Sequence, residues 1–155
     1  YFPKDFSGGA ISDEVIDQLI KVGQLAPNHK ITKPWIYQVF KGHQKDNLAK
    51  ELQDVYQKTT PPHLFLQKKY DDIFLKIEKT EVLIAIICKK SPLVPEWEEI
   101  ASVAMGVQNM YLLCTALGLG CYWSSPQIVN KLKDHLIIED EQQCLGLLYL
   151  GALEK

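Results

Sequence analysis

Arginine is absent from this chain of 155 residues; every one of its seventeen basic residues is lysine, set against nineteen carboxylates. That leaves no planar guanidinium fork among these residues for bidentate capture of phosphate. The net charge of −2 gives no electrostatic reason to expect nucleic acid or an anionic membrane as partner. Cysteine is scarce and scattered: Cys88, Cys114, Cys121 and Cys144 contain no Cys-x-x-Cys pair and no dense disulfide framework. Buried free thiols in a reducing cytoplasm are the expectation. No apolar run reaches the roughly 20 residues of a membrane span, because Gln108 and Asn109 interrupt the longest one. The opening Tyr1-Phe2-Pro3-Lys4-Asp5-Phe6 has no apolar core of a secretory signal.

What is present fits one compact domain over residues 1–155. Hydrophobic content of 46% with 23% charge is ordinary for a globular protein. Ser12 is placed to cap an amphipathic helix over 11–25, with Ile11 and Ile16 as a hydrophobic staple, and Pro27 stops it. Trp35 to Phe40 reads as a strand ended by Lys41-Gly42, and Asn47 to Gln57 as a helix. Thr59 to His63, with two prolines, reads as a loop, and Leu64 to Lys79 as a helix. Val82 to Cys88 is a continuous apolar run of strand length, as in a central strand buried on both faces. Glu96 to Leu117 is a long helix, Leu119 to Trp123 a short strand and Cys144 to Leu150 a last strand. Pro126 to Leu136 reads as a helix with proline at its first position, which would make Ser125 its N-cap. The mixture predicts an α+β or α/β layered domain.

The long helix is apolar on nearly all sides, from Ile100 through Val107 to Leu117. So small a domain has little core in which to bury twenty such residues, so a subunit interface is expected. Gly106, among Ala101, Ser102 and Ala104, would permit close helix approach. Gly118-Leu119-Gly120 is no dinucleotide fingerprint, since these glycines follow a helix and position 123 is Trp; Gly118 fits a left-handed helix cap instead. Glu98 and Glu99 open the long helix, where carboxylates favour its dipole. His43, His63 and His135 have no convergent partners, so no metal site is expected, and no Ser-His-Asp set can be assembled.

Two segments together carry a functional signal. One is Ala26-Pro27-Asn28-His29-Lys30-Ile31-Thr32-Lys33-Pro34-Trp35, between a helix and a strand. The other runs from Trp97-Glu98-Glu99 through Gln108-Asn109-Met110 to Gly118-Leu119-Gly120-Cys121-Tyr122-Trp123-Ser124-Ser125. In that order and separation they resemble the nitroreductase family of FMN-dependent oxidoreductases, especially its short single-domain members. The resemblance implies an α+β fold, a mixed sheet flanked by helices, in a cytoplasmic homodimer. It also implies FMN as cofactor, NAD(P)H as electron donor, and a ping-pong reduction of nitroaromatic, quinone or similar small-molecule acceptors. Alternatives on the same scaffold are a dehydrogenation, a dehalogenation, or a non-catalytic flavin or hydrophobic-ligand binder.

By the same resemblance, Asn28, His29 and Lys30 contact FMN bound mainly by the other subunit, and Trp123, Ser124 and Ser125 contact it within the chain. Leu25 falls at a further contact position where some relatives carry a basic residue. No catalytic side chain is expected, because the flavin carries the chemistry. The family's Arg-Arg-Ser-type phosphate grip lies just before a segment like Phe2 to Phe6. Either the intact protein extends before Tyr1, and past Lys155, or this chain has lost the grip.

Overall fold

In the computed structural model, which describes residues 1–132, 136 and 138–153, four strands form one sheet in the order β1-β2-β4-β3. The strands are β1 (Trp35–Lys41), β2 (Val82–Lys89), β3 (Leu119–Ser124) and β4 (Gln142–Ala152). The helices are α1 (Asp13–Gly23), α2 (His43–Thr59), α3 (Gln67–Glu78) and α4 (Glu96–Ala116). The α+β class is borne out. All three pairings are antiparallel, however, where a mixed sheet was expected; among the described residues each strand meets a neighbour running the other way.

Side-chain alternation along the sheet sorts the core into two layers. Ile84, Ile86, Cys88, Cys121, Leu148 and Leu150 pack with Ile16 and Leu19 of α1 and Val103, Val107 and Met110 of α4. Leu83, Ala85, Ile87, Leu147 and Tyr149 pack on the other face with Leu48 and Leu52 of α2 and Ile77 of α3. β2 is buried on both faces from Val82 to Cys88, which is why it reads as an unbroken apolar run. Ser12 caps α1 as expected, its Oγ accepting from Val15 N at 3.3 Å. Gly118, at φ 69°, ends α4 in the left-handed conformation.

Three expectations need correction. Pro126 does not begin an α-helix: its ψ of 137° is extended, and a 3₁₀ turn over Gln127–Lys131 follows with Pro126, not Ser125, in the cap position. Residues 133–135 and 137 of that expected helix lie outside the described residues. The loop expected over 59–63 shortens, since α2 reaches Thr59 and a 3₁₀ turn occupies Pro62–Leu64. Gly106 does permit a close helix approach, but to α1 of its own chain: a Cβ there would fall 2.4 Å from the Gly23 carbonyl oxygen. The helix pair interlocks at Gly106 and Gly23 without room for a methyl group.

α4 is also one-sided. Val107, at its middle, is 1% exposed in the chain's own core, whereas Trp97, Met105, Leu112 and Leu117 stand out to solvent. Among the described residues no helix is long and apolar enough to cross a membrane. The four cysteines are free and buried, as their apolar surroundings implied.

Candidate active site

β3 runs towards the end of the sheet at which β1 begins, because antiparallel pairing across β2 and β4 opposes their directions, and the register sets Ser124 level with Gln38 in the middle of β1. The two strands lie on opposite edges, three strand spacings apart, or roughly 14 Å. The loop before β1 meets the first turn of α4 directly, while the Trp123–Ser125 end of the second segment lies across the sheet from that contact.

The first half is the loop before β1. It turns through a short 3₁₀ segment at His29–Ile31, with φ of 51° at Lys30, 55° at Ile31 and 49° at Lys33. Three left-handed residues in four positions, none of them glycine and one β-branched, mark a strained backbone. What holds it is visible. His29 Nδ1 lies 2.6 Å from Glu98 Oε2, Lys30 Nζ donates to the Leu93 carbonyl at 3.0 Å, and Thr32 Oγ1 donates to Glu99 Oε2 at 2.7 Å. Asn28 Oδ1 accepts from Lys33 N at 2.9 Å, closing the loop on itself. The carboxylates at the start of α4 therefore do more than complement a dipole. Glu99 is almost fully buried, and its Oε1 has no partner among the described residues.

His29 and Asn28 line a cavity of about 260 Å³ with Pro27, Trp97, Ala101 and Met105. Leu25 does not share it. Its side chain is exposed and faces a separate depression with Lys21, Lys33 and Trp35. Because Ile31 is exposed and pays only the left-handed penalty, Ile31→Gly should stabilise the fold by about 0.5–1 kcal/mol net of glycine's extra chain entropy. A thermal melt checks it: a lowered midpoint would mean that Ile31 contributes packing that outweighs its strain.

The second half is the end of β3. Trp123 N donates to Tyr111 Oη at 2.6 Å, tying the strand to α4, while Trp123 Nε1 is buried without a partner among the described residues. Beside it β4 carries a bulge, the register shifting between Ile86 and Ile87, with Gly146 at φ 132°. A Cβ at Gly146 would lie 2.3 Å from the Ser124 carbonyl oxygen and 3.0 Å from Ser125 Cα. Glycine is required for the Trp123–Ser125 backbone to lie this close.

Ser124 opens onto a cavity of about 350 Å³, on the α2–α3 face, lined also by Tyr56, Lys69, Asp72, Lys76 and Tyr149. That volume is within the ordinary range of small-ligand sites. Desolvation, first, and the nearby Tyr122 raise the Tyr149 phenol, so it stays protonated. An adjoining cavity of about 390 Å³ shares Asp72 and Lys76 and adds Phe2, Lys4 and Lys79. These lysines escaped the sequence: nothing in a chain with seventeen of them marks which ones gather at a strand end. The described residues contain no cluster able to hold a metal ion, and His135 lies outside them.

A family model described as "Nitroreductase family" matches residues 3–152 of the chain. The chain belongs to the nitroreductase family. Among its relatives is the Escherichia coli (strain K12) protein YdjA, named provisionally as an NAD(P)H nitroreductase. It is 23% identical over 147 residues, covering 92% of this chain and 78% of the relative. A nitroreductase-like family protein from Bacillus cereus has the same fold, with a TM-score of 0.79 and 21% identity across 100% of this chain and 82% of that one. So has the FMN-dependent nitroreductase NfnB from Mycobacterium smegmatis, solved with NADPH, at TM-score 0.76, 15% identity, and 99% and 84% coverage.

Proposed function

We propose that this nitroreductase-family chain is an FMN-dependent oxidoreductase that takes electrons from NAD(P)H and reduces nitroaromatic, quinone or similar acceptors. The observation that supports it most is the cavity at the end of β3. Its walls suit a planar, partly anionic cofactor: Tyr56, Ile73, Ile128 and Tyr149 supply aromatic and apolar surface, and Lys69 and Lys76 supply positive charge that Asp72 offsets only in part. Among residues 1–155, which include no arginine, lysine is the permanently charged cation that could face a phosphate. Bound there, FMN would supply the redox chemistry, accepting electrons from the nicotinamide and passing them to the acceptor. Ser124, Ser125 and the backbone braced by Gly146 and Tyr111 would position it.

The same proposal places a second copy of the chain across the exposed face of α4. The loop of Asn28, His29 and Lys30 leads into β1, at the opposite edge of the sheet from Ser124, which favours a site completed by a second copy. A homodimer brings the loop of one copy to the β3 end of the other. Four buried thiols suit a reducing compartment such as the cytoplasm.

Purified protein mixed with FMN should turn yellow, bleach on adding NADH or NADPH under nitrogen, and recolour with a quinone. Colour that no nicotinamide bleaches would replace the reductase reading with that of a flavin binder. Failure to retain FMN at all would reject both.

A further inference from the structure

The first turn of α4 holds His29 by one particular ring nitrogen. Nδ1 is 2.6 Å from Glu98 Oε2, and an ionised carboxylate can only accept, so the proton of this contact sits on Nδ1. Neutral imidazole carries one N–H, which leaves Nε2 with a bare lone pair. The Glu98 and His29 side chains are 24% and 56% exposed, so the pair adds little to overall stability. Its effect is on orientation and tautomer. Around it, Lys30 is committed to the Leu93 carbonyl and Glu99 to Thr32, so neither competes for His29 or Glu98.

We infer that Glu98 is a positioning residue: it fixes the proton of His29 on Nδ1 and makes Nε2 a hydrogen-bond acceptor for the bound ligand. This rests on the proposal that His29 meets FMN, and it narrows that contact. Neutral His29 accepts from a donor such as the pyrimidine N–H of a flavin; it cannot donate to a flavin carbonyl unless the ring is protonated. Trp97, Ala101 and Met105 of the same helix bound the cavity in which that contact would form.

The test is a ¹⁵N-histidine spectrum of the full chain without FMN at about pH 9, above the ordinary histidine range, with His29 assigned by its loss in His29→Ala. Wild type should show the Nδ1–H tautomer. Glu98→Gln keeps an acceptor oxygen and should preserve it, whereas Glu98→Ala should revert to the Nε2–H form that free imidazole favours in water. An Nε2–H form in wild type, or an unchanged spectrum in Glu98→Ala, overturns the inference. FMN titration then gives the functional consequence. Glu98→Ala should weaken binding by roughly tenfold, about as much as His29→Ala, and the double variant should be no weaker than His29→Ala alone. Additive losses would mean that Glu98 acts independently of His29 and overturn the positioning role. An FMN affinity indifferent to His29→Ala would remove the flavin contact itself, while the nitrogen spectrum still judges the Glu98 pairing separately.

Discussion

Met105→Glu combined with Leu112→Glu should leave a folded chain that sediments as a monomer and no longer retains FMN. Both side chains are exposed on α4, at 41% and 60%, so neither replacement disturbs the core of a single copy. With Trp97 and Ala101 they follow the helical spacing of one stripe. A charge forced into a subunit contact without a partner costs about 3 kcal/mol or more, and two such charges exceed what a moderate dimer can absorb. FMN affinity should fall by at least about a hundredfold, since half of the proposed contacts would leave with the second copy. Sedimentation, a melt and an FMN titration on the same sample decide the matter. A double variant that stays dimeric with full flavin content would put the interface elsewhere. Val107 is the wrong place to look, for it belongs to the chain's own core, and a lysine there would unfold the domain whatever its oligomeric state.

The second large effect concerns a buried lysine. Lys45, in the first turn of α2, is 9% exposed, and its ammonium donates to the carbonyls of Ile77 at 3.0 Å, Glu78 at 3.2 Å and Thr80. Three N–H groups thus meet three carbonyls at the end of α3, where a helix leaves its last acceptors unpaired and its dipole favours a cation. Lys45→Met keeps most of the apolar stem but removes all three donors. Leaving those acceptors buried should cost about 3 kcal/mol, a large part of the stability of an ordinary domain. Urea unfolding with an unchanged slope would report it. A loss below about 0.5 kcal/mol would mean that water reaches these carbonyls.

What the sequence reveals and conceals follows from the range of each interaction. The Ser12 cap, the Gly118 stop and the double-faced burial of β2 are written within a few neighbouring residues, and each was legible. The one-sidedness of α4 was not, because Val107 and Leu112 are equally apolar and only the packing of α1 decides which faces inward. Glu98 and Glu99 read as dipole partners. Their bonds to His29 and Thr32 span 69 and 67 positions, beyond any local pattern. Pro126 misled for a local reason, since a proline that suits the first turn of a helix suits an extended cap equally well. Lys69 and Lys76 were hidden by abundance.

The strand order carries a consequence for how damage would spread through the proposed assembly. With the loop on one edge and the β3 end on the other, no copy owns a complete site. A lesion at His29 would spare the pocket of the copy that bears it and disable the neighbour's. Two different broken chains, one injured in the loop and one at Ser124, would then restore one working centre for every pair they form. The unit of inheritance is the chain, but the unit of function is the seam between two of them.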